Sequence, residues 1–403
     1  MKIVSYGKAL LLAAVSSALM LSTGVSAQDD WELEEITVTA SKRTENLQDV
    51  PVAVTAFTGD QVDRFHFRNS NDLARTVPGL NMGEISGQHN YPVVFLRGVG
   101  MNDYNSNNAS PVAMYYDDLY VSITNATKLT MFDLNRVEVL RGPQGTLYGR
   151  NSTGGAIKFI FNRPTEELEG NVSAGYGSFD TMQLQGVISG PLSDNVRARV
   201  GVNYRETDGA FKDLFDGTTN GASENLALRA MLDFDVSEST SVELTMYSED
   251  YKGDEAAYKL MPVVLPDFSV DPDGANGCPA GCTDFFGQTG EGEPFWSVNT
   301  NIKGVTDNEI LGFQGKIVHE GQDLTFTSIT GYQKVDHFHD EDIDNRPLDS
   351  IAAQYAVDAD VFTQEFQLSG ATETLNWLVG AYYLDENSDT SNIVFLGRDL
   401  RAI

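Results

Sequence analysis

Asp336-His-Phe-His-Asp-Glu-Asp-Ile-Asp344 crowds imidazoles and carboxylates into one short stretch. Those groups are metal ligands, hard oxygens beside borderline nitrogens. An acidic loop tip has the same composition when it is simply solvated, so both readings stand and no metal is assigned. Cys278 and Cys282 are the only cysteines, in Cys-Pro-Ala-Gly-Cys. A small local disulfide is the favoured reading in an exported chain. A metal site would need further ligands close by, and none stands there. Gly149-Arg-Asn-Ser-Thr-Gly-Gly-Ala156 outlines a phosphate loop but lacks the Lys-Ser/Thr pair that holds phosphate and magnesium. Gly98-Val-Gly100 continues as Met-Asn-Asp, which is no dinucleotide fingerprint. Neither a Gly-x-Ser-x-Gly elbow nor a His-Glu-x-x-His pair occurs. The chain reads as a non-enzyme without a cofactor.

The elements around these residues begin with an export signal. Lys2 and Lys8 flank an apolar run from Ala9 to Leu21, and Val25-Ser-Ala27 offers small residues for cleavage after Ala27. The run is too short to span a bilayer as a helix. The formal net charge of −31 repels phosphate backbones, which argues against a nucleic-acid partner. Disorder, the other reading of high charge, conflicts with 41% apolar residues and abundant Tyr and Phe. Residues 28–50 are polar and read as a flexible periplasmic arm. Residues 51–165 mix short β-runs, two helical turns and Gly/Asn loops. From 166 onward the chain alternates apolar and polar residues.

That alternation sets the fold class. Val196, Ala198, Val200, Val202 and Tyr204 face one way while Arg197, Arg199, Asn203 and Arg205 face the other. Asn225 to Asp235 and Thr374 to Leu384 repeat the pattern. Aromatic residues recur towards the strand ends, as in a membrane girdle. Short turns alternate with long loops at about 208–223, 253–306 and 339–360, the arrangement of an outer-membrane barrel. Strands are expected at roughly 169–178, 180–190, 195–207, 224–235, 239–252, 307–319, 323–338, 361–370 and 374–387. The expected fold is an α+β plug followed by antiparallel transmembrane β-barrel strands. About nine strands against the roughly twenty-two of a plugged transporter would be an incomplete barrel, and the chain reads as truncated at its C-terminus.

Asn135-Arg-Val-Glu-Val-Leu-Arg-Gly-Pro-Gln-Gly-Thr-Leu-Tyr-Gly-Arg-Asn-Ser-Thr-Gly-Gly-Ala-Ile-Lys-Phe-Ile-Phe161 closely resembles the plug signature of TonB-dependent outer-membrane receptors. Phe95-Leu-Arg-Gly-Val-Gly100 resembles the same family. So do Val112 to Val121, with Asp117-Asp118 where the family often has Asp-Gly, and Val50-Pro-Val-Ala-Val-Thr-Ala-Phe57 with Asp72-Leu-Ala-Arg-Thr-Val-Pro-Gly-Leu80. Leu33-Glu-Glu-Ile-Thr-Val-Thr-Ala40 resembles a TonB box, which implies that Glu35, Ile36, Thr37, Val38, Thr39 and Ala40 add a strand to a periplasmic TonB-type partner. The few residues between the cleavage site and Glu35 leave a transcription-signalling domain disfavoured.

The resemblance implies further roles. Plug arginines pair with carboxylates on the inner barrel wall, so Arg97 and Arg141 are candidates, with Glu365 as their partner. Exposed plug apices are expected over 86–91 and 101–110, placing His89, Asn90, Tyr91, Asn102, Asp103 and Tyr104 against an extracellular ligand. Polar and aromatic groups suit a siderophore, a glycan or another bulky polar ligand equally well. Within the family, an iron complex is the leading expectation. A surface-binding or adhesion protein with a permanently closed plug is the alternative. The outer-membrane lipid is the remaining partner.

Overall fold

The computed structural model describes residues 37–399 apart from 41, 44, 85–90, 104–106, 256–257, 259–282 and 284–292. The signal segment, Glu35, Ile36, His89, Asn90, Tyr104, Cys278 and Cys282 lie outside the described residues.

The first part of the chain is built on a five-stranded sheet. Its strands are β1 (Val54–Thr58), β2 (Val112–Tyr116), β3 (Leu119–Val121), β4 (Leu134–Arg141) and β5 (Gly155–Phe161), in the order β1-β4-β5-β2-β3. Only β5 and β2 run parallel. Val137, Val139, Leu140, Ile157 and Phe159 are fully buried, so β4 and β5 are central strands covered on both faces. One position there demands glycine. Gly155 has φ +147, and a Cβ would fall 2.2 Å from the Leu140 carbonyl oxygen. Helix α1 (Gly59–Arg64) starts at a capping box, with Thr58 and Gln61 satisfying each other's backbone N–H groups. Asn69 and Asp72 make a second capping box on the 3-10 turn Ser70–Arg75.

The second part is a nine-stranded antiparallel meander. It comprises β6 (Glu169–Gly177), β7 (Thr181–Ser193), β8 (Val196–Thr207), β9 (Ser223–Ser237), β10 (Thr240–Asp254), β11 (Val305–Glu320), β12 (Leu324–Asp342), β13 (Ile351–Ala371) and β14 (Asn376–Leu396). Each strand pairs with its sequence neighbour in this set. Burial alternates with period two, and its polarity is inverted relative to a soluble sandwich. Arg229, Gln314, Gln333 and His337 are buried on the inner face, while Leu228, Met246, Phe313 and Phe366 are bare on the outer face. Polar-in and apolar-out is the signature of a lipid-facing wall around a filled lumen. The first part packs on that inner face. Gly331 and Gly201 make room for it, since a Cβ at either would meet Leu119 or Phe132 at 2.2 Å and 3.0 Å.

The strand pattern extends further than the sequence reading allowed. The expected loop at 339–360 contracts to 343–350, because β12 continues to Asp342 and β13 starts at Ile351. Asp336 pairs with Asp358 and Lys334 with Asp360 across the outer face, while Ala353, Val357 and Ala359 stay buried within. Charges at outward positions inside β12 and β13 concealed the alternation. The His-rich stretch is therefore strand and not a loop tip. His337 and His339 point inward and contact Asn308 and Thr306 at 3.1 and 2.8 Å. Alternation puts Asp336 on the opposite face, and among the described residues this stretch gathers no set of three ligand atoms. The expected loop at 208–223 carries Phe211–Asp213 and Thr219–Asn220, which share a small sheet with Ser297–Val298.

Candidate coupling site between arm, plug and wall

Thr37–Val38 forms a two-residue strand that turns back onto Glu45–Asn46. Val38 and Ala40 are fully buried, so the described part of this segment is docked and not the mobile arm its composition suggested. Alternation explains the docking. Val38 and Ala40 supply apolar contacts, and Thr39 between them supplies polar ones. The Thr39 N–H donates to Glu138 Oε1 at 2.8 Å, and its hydroxyl lies 3.2 Å from the same oxygen. The Lys158 ammonium donates to Thr39 Oγ1 at 3.0 Å, and the Tyr148 hydroxyl donates to the Thr39 carbonyl at 3.1 Å.

Glu138 and Lys158 are cross-strand partners on β4 and β5, and both are buried. A carboxylate in that position needs several partners. Arg136 Nε supplies one at 2.8 Å, and Thr39 supplies the rest. Lys158 lies 3.6 Å from Asp118, and Lys316 of the wall reaches the same carboxylate at 3.0 Å. Burial alone would raise the Asp118 carboxyl, but Lys316, Lys158 and Lys42 hold it well below the usual carboxylate range. Lys42 then closes the chain of charges. Its ammonium meets Glu365 of β13 at 3.4 Å and stands 5.3 Å from the Tyr148 ring centre. Arg43 donates to the Trp377 carbonyl at 3.0 Å. Arm, plug and wall thus share one alternating network. Withdrawing Thr39 would leave Glu138 short of partners and loosen Lys42 from the wall.

The sequence reading named Glu365 but gave it the wrong partner. Arg97 sits exposed in the turn after Leu96, with φ +52, and its guanidinium lies over Gly142 of the plug itself. Arg141 ends β4, its backbone N–H donates to the Ala53 carbonyl, and among the described residues its buried Nε has no hydrogen-bond partner. Among the described residues, neither forms an ion pair with Glu365, whose cationic partner is Lys42. The basic Lys42-Arg43 pair after the β-prone segment was the available signal. Tyr91 is a second correction. It is buried against the plug, its hydroxyl held up at about 12 by burial and by Asp103, so it is no exposed apex. Asn102 is exposed, and Asp103 accepts from Asn108 at 2.6 Å.

The plug is tied to the wall at a second place. Asp133 accepts from Arg199 of β8 through both oxygens, at 2.8 and 2.5 Å. Arg229 of β9 donates to the Phe132 carbonyl at 3.0 Å and lies 3.5 Å from the Phe161 ring centre. Arg163 pairs with Asp233 and reaches Glu243 at 3.4 Å.

Arg163 stands 3.9 Å from Asp117, too far to offset its burial. Among the described residues one Asp117 oxygen has no hydrogen-bond partner, and burial pushes the carboxyl up to about 6. A raised carboxylate pKa means that the folded state keeps its proton longer than the unfolded chain. Stability falls as pH rises between about 4 and 6 and is flat above. The ionised form costs about 3 kcal/mol at neutral pH. Asp117→Asn keeps the acceptor for the Phe161 N–H and tolerates φ +52. We expect it to raise the melting temperature at pH 7 but not at pH 4, and an equal shift at both would exclude this origin.

Residues 46–156 match the family described as the TonB-dependent Receptor Plug Domain. The pesticin receptor of Yersinia enterocolitica is 33% identical over 190 residues, covering 46% of this chain and 26% of its own length. The ferric-pyoverdine 358 receptor of Pseudomonas putida is 22% identical over 347 residues, covering 86% of this chain and 37% of its own. The solved ferripyoverdine receptor of the outer membrane of Pseudomonas aeruginosa, bound to ferripyoverdine, has 18% identity and a TM-score of 0.70, over 94% of this chain and 50% of that one. The chain therefore spans about half of the solved receptor and less of the curated relatives. The chain carries a TonB-dependent receptor plug domain over 46–156, packed inside a nine-stranded, outward-apolar wall, and shares its fold with a solved outer-membrane receptor.

Proposed function

We propose that the protein takes up an iron-loaded siderophore across the outer membrane, driven by a periplasmic TonB-type partner that pulls on Glu35 to Ala40. The observation carrying this reading is the docking of Thr39 on Glu138, deep in a plug that fills the lumen of the wall. A partner strand pairing with this segment would draw on backbone hydrogen bonds, a connection strong along its axis. The load would pass from Thr39 to β4 and β5, and from Lys42 to Glu365. The plug would then shift inside the wall and admit the ligand. Relatives named as ferric-pyoverdine and ferripyoverdine receptors favour a ferric siderophore over a glycan. A permanently closed adhesion plug would have no use for a segment that bridges the plug's buried charges.

Deletion of Glu35 to Ala40 in the full-length receptor is the test. Radioiron accumulation in energised cells should fall to background while surface binding of the ferric ligand persists. Accumulation at the parental rate would refute the proposal.

A further inference from the structure

Glu255 stands one residue past β10, at the exterior end of the wall, and is only 4% exposed. It joins three strand ends. Its backbone N–H donates to the Gly304 carbonyl, just before β11, at 2.8 Å. Its Oε2 accepts from the N–H of Asp342, the last residue of β12, at 3.0 Å. Gly304 leaves room for this carboxyl, since a Cβ there would fall 2.4 Å from Oε2.

The surroundings are acidic. Asp340, Glu341 and Asp342 face Glu255 from β12. Asp342 is 1% exposed, and its Oδ1 accepts from the Asn345 N–H at 3.1 Å. Among the described residues its Oδ2 has no hydrogen-bond partner. Asp344 accepts from the Ile351 N–H at 3.0 Å and from the Ser350 hydroxyl, and among the described residues its buried Oδ1 has no partner either. These two aspartates close the 343–350 connection between β12 and β13. The neighbouring cations engage other groups. Lys303 pairs with Asp254 at 3.2 Å and donates to the Thr219 carbonyl at 2.8 Å. Arg346 Nε donates to the Asp344 carbonyl at 3.1 Å. His339 lies 3.4 Å from Glu341, which accepts from the Tyr355 hydroxyl of β13 at 3.1 Å. Among the described residues, no lysine or arginine pairs with the carboxylates of Glu255, Asp342 or Asp344. Nor, among the described residues, do three of these carboxylates bring ligand atoms as close together as a metal ion needs.

A buried carboxylate without a cation is neutralised by a proton. Burial, and then Glu341, Asp342 and Asp340, push the Glu255 carboxyl up to about 9 from an ordinary 4.5. We propose that protonated Glu255 is a clasp between the two exterior connections, holding the end of β12 against the junction of β10 and β11, and that the clasp opens by giving up its proton to the exterior. Between 4.5 and about 9 the closed form keeps a proton that the open form loses. Opening therefore becomes about tenfold easier per pH unit across that window and gains nothing above it. An alkaline exterior thus loosens the strand ends that carry the two connections, with plug and ligand taking no part.

Hydrogen exchange on the full-length receptor in detergent tests the clasp, with protection of the Asp342 and Ile351 amides read from about pH 7.5 to about 10 and corrected for intrinsic rates. Parental protection should fall about tenfold per pH unit up to about 9 and then level off. Glu255→Gln keeps an acceptor for the Asp342 N–H and has no proton to lose, so its protection should be flat across the range. Asp342→Asn removes a facing charge and should move the levelling point to lower pH. A flat parental profile, a Glu255→Gln profile that falls like the parental one, or an unmoved levelling point in Asp342→Asn would overturn the proposal. So would saturable calcium binding at neutral pH that Glu255→Gln abolishes, because the cluster would then hold a metal ion and not a proton.

Discussion

Glu138→Ala should free the docked segment and destabilise the plug by about 3–5 kcal/mol, the usual loss when one member of a buried ion network is removed. The large value follows from what remains. Lys158 keeps Asp118 but loses its cross-strand carboxylate, and Arg136 and the Thr39 N–H lose their acceptor. Lys158 cannot turn to water without opening the sheet, because its side chain is buried and β4 and β5 are central strands. The change can be read directly with trypsin. Lys42 and Arg43 are tied to Glu365 and the Trp377 carbonyl, so the parental protein should resist cleavage there. The alanine variant should be nicked quickly. Glu138→Gln keeps an acceptor for Thr39 while removing the charge, and should fall between the two. Unchanged trypsin resistance and an unchanged melting temperature in Glu138→Ala would remove the network from the account.

Arg199→Ala should have a comparable effect at the other tie. Asp133 has a side chain only 4% exposed, and its two bonds to Arg199 are replaced by nothing. Its remaining side-chain donor is Asn162, at 3.0 Å. A carboxylate stranded in this way costs about 3–5 kcal/mol. Here the cost falls on the plug–wall boundary and not on the plug's own sheet. In full-length receptors the expected result is therefore leakage. Cells should become sensitive to large hydrophilic antibiotics while the isolated melting transition of the wall is kept. Asp133→Asn removes the stranded charge, so combining it with Arg199→Ala should recover part of the loss. A double-mutant cycle with a coupling below about 0.5 kcal/mol would show that the pair carries no anchoring.

These effects also show which parts of the molecule the sequence revealed. The wall was legible because the physical requirement repeats at every second residue. Val196 to Tyr204 must face lipid and Arg197 to Arg205 must face the lumen, and no other fold class imposes that over so many strands. The pattern blurred where outward residues were charged. Asp336, Asp358 and Asp360 take outward positions inside β12 and β13, where the apolar face is interrupted, and both strands run further than the alternation predicts. The plug was legible through its glycines and its buried strands, Gly155 above all, since backbone geometry forbids any other residue.

The coupling network was less visible. Its members are scattered from Thr39 and Lys42 through Asp118, Glu138 and Lys158 to Lys316 and Glu365, and single charges look alike in a sequence. Glu138 sits between Val137 and Val139 in an apolar run, the one hint that a buried carboxylate required a partner. Composition pointed the other way for the arm. Its polar residues suggested mobility, but Val38 and Ala40 alternate with Thr39 in a way that fits a docked strand. Arg97 and Arg141 were expected to meet the wall. Among the described residues neither pairs with a wall carboxylate: the Arg97 guanidinium lies over Gly142 of the plug, and the buried Arg141 Nε meets no hydrogen-bond partner.

The central claim is that the segment docked at Glu138 must leave the plug for transport to proceed. Cysteines at Thr39 and Tyr148, joined by a bis-methanethiosulfonate reagent long enough to replace the reach of the tyrosine side chain, would lock the two together. In the full-length receptor, cross-linked cells should bind the ferric ligand normally and accumulate none, and a reductant should restore accumulation. Accumulation at the parental rate with the cross-link verified would contradict the account.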